Sequence, residues 1–312
     1  MKFADMHCDT LTELYDAGYD IESAPLHISL NGARELSPYV QIAAVWTDKR
    51  LTDDEAFRRF FSVMNSFRES RSYRNGKIRF CRTRDELEAA AKEHIPAFVP
   101  AIEGARLLGG DITRLRPVAE AGVRLITLQW SGSDCVGGGW DTDLPLTDFG
   151  RELITEMGKS GICADISHAC DRTAGEILGC AEGTNLCVCA SHSNSRTVCS
   201  HMRNLTDELF LRVVKSGGIV GLSMAPEHLS DSGSAGIDDI CRHLYRYLEL
   251  GGEEAVCFGC DFDGIGAVPL GLSGIKDIPA LYEGLTLRGF SEKTLDKVFF
   301  ENAYAFILSI ME

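Results

Sequence analysis

Near the amino terminus, His7 and Asp9 stand two residues apart, so an extended chain would point the imidazole and the carboxylate to the same side. Together they can reach one cation. Glu103 ends the apolar run PAFVPAI, where a buried carboxylate needs a partner; a metal ion is one, and a salt bridge to Arg106 is the structural alternative. His168, in DISH, and His192, in ASHSN, each follow an apolar run directly and each follow a serine. Histidine nitrogen with carboxylate oxygen suits zinc or a similar first-row divalent ion, whereas calcium or magnesium would call for oxygen alone. Asp261 and Asp263, in GCDFDG, are again two apart. One of them is expected to face the ions, where an acid just outside the metal shell can move the proton that hydrolysis requires; capping of the turn at Gly264 is the alternative. The remaining histidines, His27, His94, His201, His228 and His243, fall in helices or loops and read as solvated or structural.

These residues need a scaffold that gathers them. Eight short β-rich runs recur along the chain: 2–7, 40–46, 97–103, 123–129, 162–167, 186–191, 219–223 and 256–260. Segments with helical spacing lie between them, among them 53–67, 84–92, 149–159, 206–216 and 238–250. Gly161, Gly217-Gly218 and Gly251-Gly252 stand where a left-handed cap would end a helix. Apolar strands alternating with helices indicate a parallel sheet with right-handed crossovers, and eight units predict a closed (β/α)8 TIM barrel. An open doubly wound sheet is the competing topology, but no glycine-rich phosphate loop follows the first run. A single domain over residues 1–312 is expected, closed by a helix over 291–310. The ionisable residues then lie at the carboxyl ends of the first, third, fifth, sixth and eighth strands, which is where barrel enzymes build their sites.

Forty-six acidic against 31 basic residues give a formal charge of −15, so nucleic acid and anionic membrane surfaces would be repelled. The start MKFADMHCDTL lacks the basic flank and apolar stretch of a secretory signal, and no run approaches the ~20 apolar residues of a membrane span, so a cytoplasmic protein is expected. The 12 cysteines are scattered, and most are expected as free thiols. Cys163, Cys187, Cys189 and Cys257 sit in apolar runs as small hydrophobes, and the CxxC pair Cys257 and Cys260 has no second pair to complete a zinc knot. Asn204-Leu205-Thr206 matches a glycosylation acceptor by chance.

The runs DMHCDT, AIEGARLL, GVRLITLQW, PLTDFGRELITEMGKSGICADISH, ASHSNSRTVCSHMRNLTDELF, GCDFDG and ENAYAFI occur in one order across almost the whole chain. In these motifs the chain resembles the membrane dipeptidase, or renal dipeptidase, family of zinc metallopeptidases, peptidase family M19. The resemblance implies two zinc ions, one held by His7, Asp9 and Glu103 and the other by Glu103, His168 and His192, with Glu103 bridging. It implies that Asp261 handles the proton and that Arg203, in HMRN, grips the carboxylate of a small dipeptide through its planar fork. The attacking group would be a hydroxide made available between the two cations. A homodimer is a further family expectation. Trp130 departs from relatives of the mammalian enzyme, which carry an oxyanion-binding histidine after the fourth strand; an indole donates only through its N–H. The loop GLSMAPEHL likewise shows no obvious aromatic residue for the substrate. Other readings are a binuclear hydrolase for lactones, cyclic amides or phosphoesters, and a metal-binding protein without efficient catalysis.

Overall fold

A computed structural model describes residues 1–311. Eight strands form in the predicted runs: β1 (Phe3–Asp5), β2 (Tyr39–Trp46), β3 (Ala97–Glu103), β4 (Leu125–Thr127), β5 (Cys163–Asp165), β6 (Val188–Cys189), β7 (Val220–Leu222) and β8 (Val256–Phe258). All pair in parallel in the spatial order β6-β5-β4-β3-β2-β1-β8-β7. The gap between β6 and β7 is closed by a bridge between Ala190 and Val220, with Ala190 N–H donating to Ile219 O at 3.0 Å and Gly221 N–H to Ala190 O at 2.9 Å. The sheet is therefore the expected barrel. A two-residue strand, Arg79–Phe80, also pairs in parallel with the start of β3, at Ala97 and Phe98. With two residues it is too short to show a hydrophobic period and lies outside the eight predicted runs.

Side chains alternate along each strand, so every second residue faces the barrel interior. Val40, Ile42 and Ala44 on β2 and Val99 and Ala101 on β3 share a buried interior cluster with Cys163, Cys189 and Cys257. The same alternation makes Trp46 and Glu103 the last interior-facing residues of β2 and β3, and the two are direct register partners. Phe300, Phe306 and Ile307 from the carboxyl-terminal segment pack on the interior cluster. That segment runs as Glu292–Asp296, a π-turn over Lys297–Glu301 and Asn302–Ser309, and Asn302 Nδ2 ties it to Val256 O at 2.8 Å.

The larger apolar layer lies between the strands and the surrounding helices. Helices Asp53–Glu69, Arg84–Lys92, Asp148–Lys159, Asp207–Lys215 and Ile237–Glu249 fall within a residue or two of the predicted spans. Thr52 and Glu55 form a reciprocal capping box at the start of the first of these. Gly251 ends the last with φ 86°, a conformation in which a Cβ would clash with the backbone. All 12 cysteines are free. Among the described residues no helix is long and apolar enough to cross a membrane.

Candidate metal centre

The strand ends bring His7, Asp9, Glu103, His168, His192 and Asp261 together at one mouth of the barrel. Glu103 is the hub. Its Oε2 lies 3.5 Å from His7 Nε2, while its Oε1 lies 2.7 Å from His168 Nε2 and 3.5 Å from His192 Nε2. His7 Nε2 is also 3.5 Å from Asp9 Oδ2 and 3.8 Å from Asp261 Oδ1. Two groups with ligand atoms mutually within 4.8 Å result, His7 with Glu103 and His192, and His7 with Asp9 and Asp261. The alternative partner for Glu103 is not used, because Arg106 turns to Asp53 instead.

This cluster fits cations and little else. Both ring nitrogens of His7, Asp9 Oδ1, His168 Nδ1 and His192 Nε2 are buried without a hydrogen-bond partner. A protein interior rarely tolerates so many unpaired polar atoms in one place. Space for ions is kept by Gly264, where a Cβ would fall 2.2 Å from Asp9 Oδ2 and 2.7 Å from Asp261 Oδ1. The mixed nitrogen and carboxylate donors match zinc chemistry.

The charges point the same way. Burial alone would raise Glu103, but His7 and His168 hold its carboxyl well below the usual range. Burial alone would lower His7, yet Glu103 and Asp9 lift its imidazole well above the ordinary value. Burial, with Glu103 beside it, lifts Asp9 to about 7 against the pull of His7. Burial and then Arg203 lower His168 to about 4, with Glu103 opposing. Asp261 is pushed well above the carboxylate range by burial, reinforced by Glu103 and Asp9, with His7 and Arg203 opposing. Glu103, Asp9 and Asp261 thus share one small buried volume, and a bound cation would relieve their mutual repulsion.

The loop after β8 separates its two aspartates. Asp261 and Asp263 have φ of 62° and 70°, and with His168 at 71° they are three of the four non-glycine residues in the left-handed region among the described residues. Such strain concentrates at sites that the surrounding structure holds in place. The two positive φ values break the simple two-residue alternation, so the aspartates diverge. Asp263 accepts Thr10 Oγ1 at 2.6 Å and His27 N–H at 2.6 Å, clamping neighbouring loops, and Asp261 alone of the two approaches His7.

Several supporting residues escaped the sequence reading. Asp165, the last residue of β5, accepts the N–H groups of Ser167 and Ser191 at 2.9 Å each, Thr127 Oγ1 at 2.6 Å and Ser191 Oγ at 2.5 Å. Ser191 in turn sits 2.7 Å from His192 Nδ1. Asp5 accepts the N–H groups of His7 and Cys260 and so ties β1 to β8 below the cluster. A polar residue at an interior-facing strand position was the available signal for Asp165.

Arg203 is buried, 4% exposed, and touches the cluster through Nη2, 3.4 Å from His192 O. Its Nε has no partner, and no carboxylate lies within ion-pair distance of it among the described residues. His201 and His228, expected as solvated or structural, stand beside it with ring centroids 4.7 Å apart, both lowered first by burial and then by Arg203. Asn194 and Asn204 both donate to the carbonyl of His228, at 3.3 and 2.8 Å, fixing that loop. The same bond buries Asn204, which is 1% exposed, so the apparent glycosylation motif is not accessible in the folded chain. Trp130 packs edge-on against Trp46 at 5.2 Å and lies 6.3 Å from His168. Both indoles line a cavity of about 280 Å³ whose other walls include Asp9, Glu103, His168 and Asp261.

Comparison with known proteins bears on the fold and the family. A crystallised dipeptidase described as a metallopeptidase of family M19 superposes with a TM-score of 0.91 over 100% of this chain and 99% of its own, at 24% identity. A metallopeptidase from Rhodobacter sphaeroides, liganded with a phosphinate mimic of the dipeptide L-Ala-D-Ala, superposes at 0.90 over 98% of each chain with 23% identity. In sequence, an uncharacterized protein in the pqqA 5'region of Klebsiella pneumoniae is 29% identical over 239 residues, 73% of this chain and 87% of that protein. Dipeptidase 3 of Rattus norvegicus is 31% identical over 205 residues, which cover 63% of this chain and 41% of the rat protein. The model of the membrane dipeptidases, peptidase family M19, matches residues 1–309, and the chain belongs to that family.

Proposed function

We propose that this chain hydrolyses the amide bond of small dipeptides with two zinc ions held at the barrel mouth. The observation that carries the reading is the division of Glu103: one oxygen faces His7, the other faces His168 and His192. His7, Asp9 and Glu103 would hold one ion, and Glu103, His168 and His192 the other. When bound, such ions supply Lewis acidity and bring the pKa of water toward neutrality. The protein's own groups do the rest. Asp261, 3.8 Å from His7 at the mouth, would take a proton from water and return it to the departing amine. Arg203 offers an unpaired guanidinium to the substrate's carboxylate. A cavity of about 280 Å³ favours a substrate of two residues over a longer peptide.

A binuclear hydrolase for lactones or cyclic amides would share the metal ligands but has no evident use for Arg203, whereas a phosphoesterase could turn it to phosphate and is separated by the substrate panel. The test is turnover of a panel of L,L- and L,D-dipeptides by zinc-loaded protein, with L-Ala-D-Ala included because the Rhodobacter sphaeroides relative binds its phosphinate mimic. An Asp261→Asn variant is the control, expected to lose activity while keeping metal. No turnover of any dipeptide would overturn the reading. Metal content well under two equivalents after loading would overturn the binuclear site.

A further inference from the structure

Glu13 has a role that the metal chemistry leaves open. It lies on the helix Thr10–Ala17, where its N–H donates to Asp9 O at 3.2 Å, and its side chain lines the same cavity as Asp9, Trp46 and Trp130. Its carboxylate is half-buried, yet among the described residues it has no hydrogen bond and no ion pair. Arg59, whose field reaches it, is already bound to Asp16 at 2.6 Å. Asp9, Asp261, Asp263 and Glu103 share that cavity with it and, among the described residues, no lysine or arginine lines it, so Glu13 faces a pocket short of a cation. The same cavity is walled by Trp46 and Trp130, packed edge-on at 5.2 Å, and the Trp130 ring already holds an ammonium, Lys49 Nζ, 5.6 Å from its centroid, as aromatic faces do.

The two ends of the site are therefore chemically opposite. Arg203 touches the His192 side of the cluster, and Glu13 stands on the Asp9 side. A dipeptide carries a carboxylate at one end and an ammonium at the other. We infer that Glu13, in the cavity it shares with Trp46 and Trp130, receives the α-ammonium of the substrate, so that the enzyme selects dipeptides with a free amino terminus. This rests on the dipeptidase reading and adds to it the residue that recognises the amino end.

The experiment compares zinc-loaded wild type and Glu13→Gln on the best dipeptide of the panel and on its N-acetyl derivative. Calorimetry of two phosphinate dipeptide mimics, with and without the amino group, runs in parallel. Removing a charged anchor should lower kcat/KM for the free dipeptide about tenfold or more, mainly through KM, and leave the N-acetyl substrate within about twofold. The amino-bearing phosphinate should weaken about tenfold in Glu13→Gln and the amino-free one should not change. Melting temperature should hold, since the carboxylate has no partner within the protein. Equal losses on both substrates and both mimics, or no loss on either, would overturn the inference. If wild type cleaves no dipeptide but the mimics still separate through Glu13, the dipeptidase reading falls and the ammonium site stands.

Discussion

Ser191 places its hydroxyl 2.7 Å from Nδ1 of His192. The hydroxyl proton is committed to Asp165 Oδ2 at 2.5 Å, so Ser191 Oγ accepts and His192 Nδ1 must carry the donor hydrogen. That leaves the lone pair of His192 on Nε2, the atom turned toward Glu103. A serine and a carboxylate behind the ring thus set the tautomer a metal ligand needs. Ser191→Ala should weaken zinc binding about 10- to 100-fold with the fold intact. Chelator competition followed with a zinc indicator measures it, and an unchanged affinity would show that the ring is oriented without Ser191.

Gly264 offers a cleaner lesion of the opposite side. A methyl group there would press on Asp9 Oδ2 and Asp261 Oδ1 together, while Gly264 is not among the glycines with positive φ. Gly264→Ala should fold normally but bind well under two metal equivalents, and activity should fall about a hundredfold or more as both carboxylates are displaced. Metal analysis beside a melting curve separates the outcomes. Full metal content in the variant would mean that the loop yields instead of the carboxylates.

Much of this site is visible in the residues themselves because barrel geometry is periodic. Interior-facing positions recur every second residue, so Glu103 at the end of an apolar strand and the histidines just beyond two others announce a shared mouth. Spacing alone did not choose between Asp261 and Asp263, since left-handed φ values at both override the alternation that a spacing of two implies; only the motif resemblance singled out Asp261. The pair His201 and His228 was hidden for another reason. It is made by contact between two loops far apart in sequence, zipped by Asn194 and Asn204, and no local pattern encodes that contact. The strand Arg79–Phe80 was too brief to carry any period.

Arg203 should trade stability for binding. A buried guanidinium with no carboxylate within ion-pair distance carries a desolvation cost that its bond to His192 O and the more distant Asp261 and Glu103 offset only in part. Arg203→Met should raise unfolding stability by about 1–3 kcal/mol and lower kcat/KM for dipeptides by about a hundredfold or more, with little further effect on an amidated dipeptide. Urea unfolding and kinetics on the acid and amide substrates check both halves. A variant that is destabilised and equally impaired on both substrates would assign Arg203 a structural role.

His243 supplies a pH dependence separate from the metal ligands. Its ring is fully buried, with Nδ1 accepting Ser195 N–H at 3.0 Å and Nε2 donating to Leu229 O at 3.0 Å. Burial lowers it to about 4, so the folded state keeps it neutral where the unfolded chain, titrating near 6.5, takes up a proton. Between those values the unfolded state binds more protons, and stability must fall as pH falls. The contribution is fully present above pH 6.5 and is reduced by about 3 kcal/mol as pH approaches 4, with no further loss below that. His243→Gln keeps one donor and one acceptor but cannot take up the proton. In urea unfolding of metal-free protein, the stability difference between wild type and His243→Gln should therefore shrink by about that amount from pH 7.5 to 4. A difference that stays constant with pH would mean that His243 titrates alike in the folded and unfolded chains, against its burial between Ser195 and Leu229.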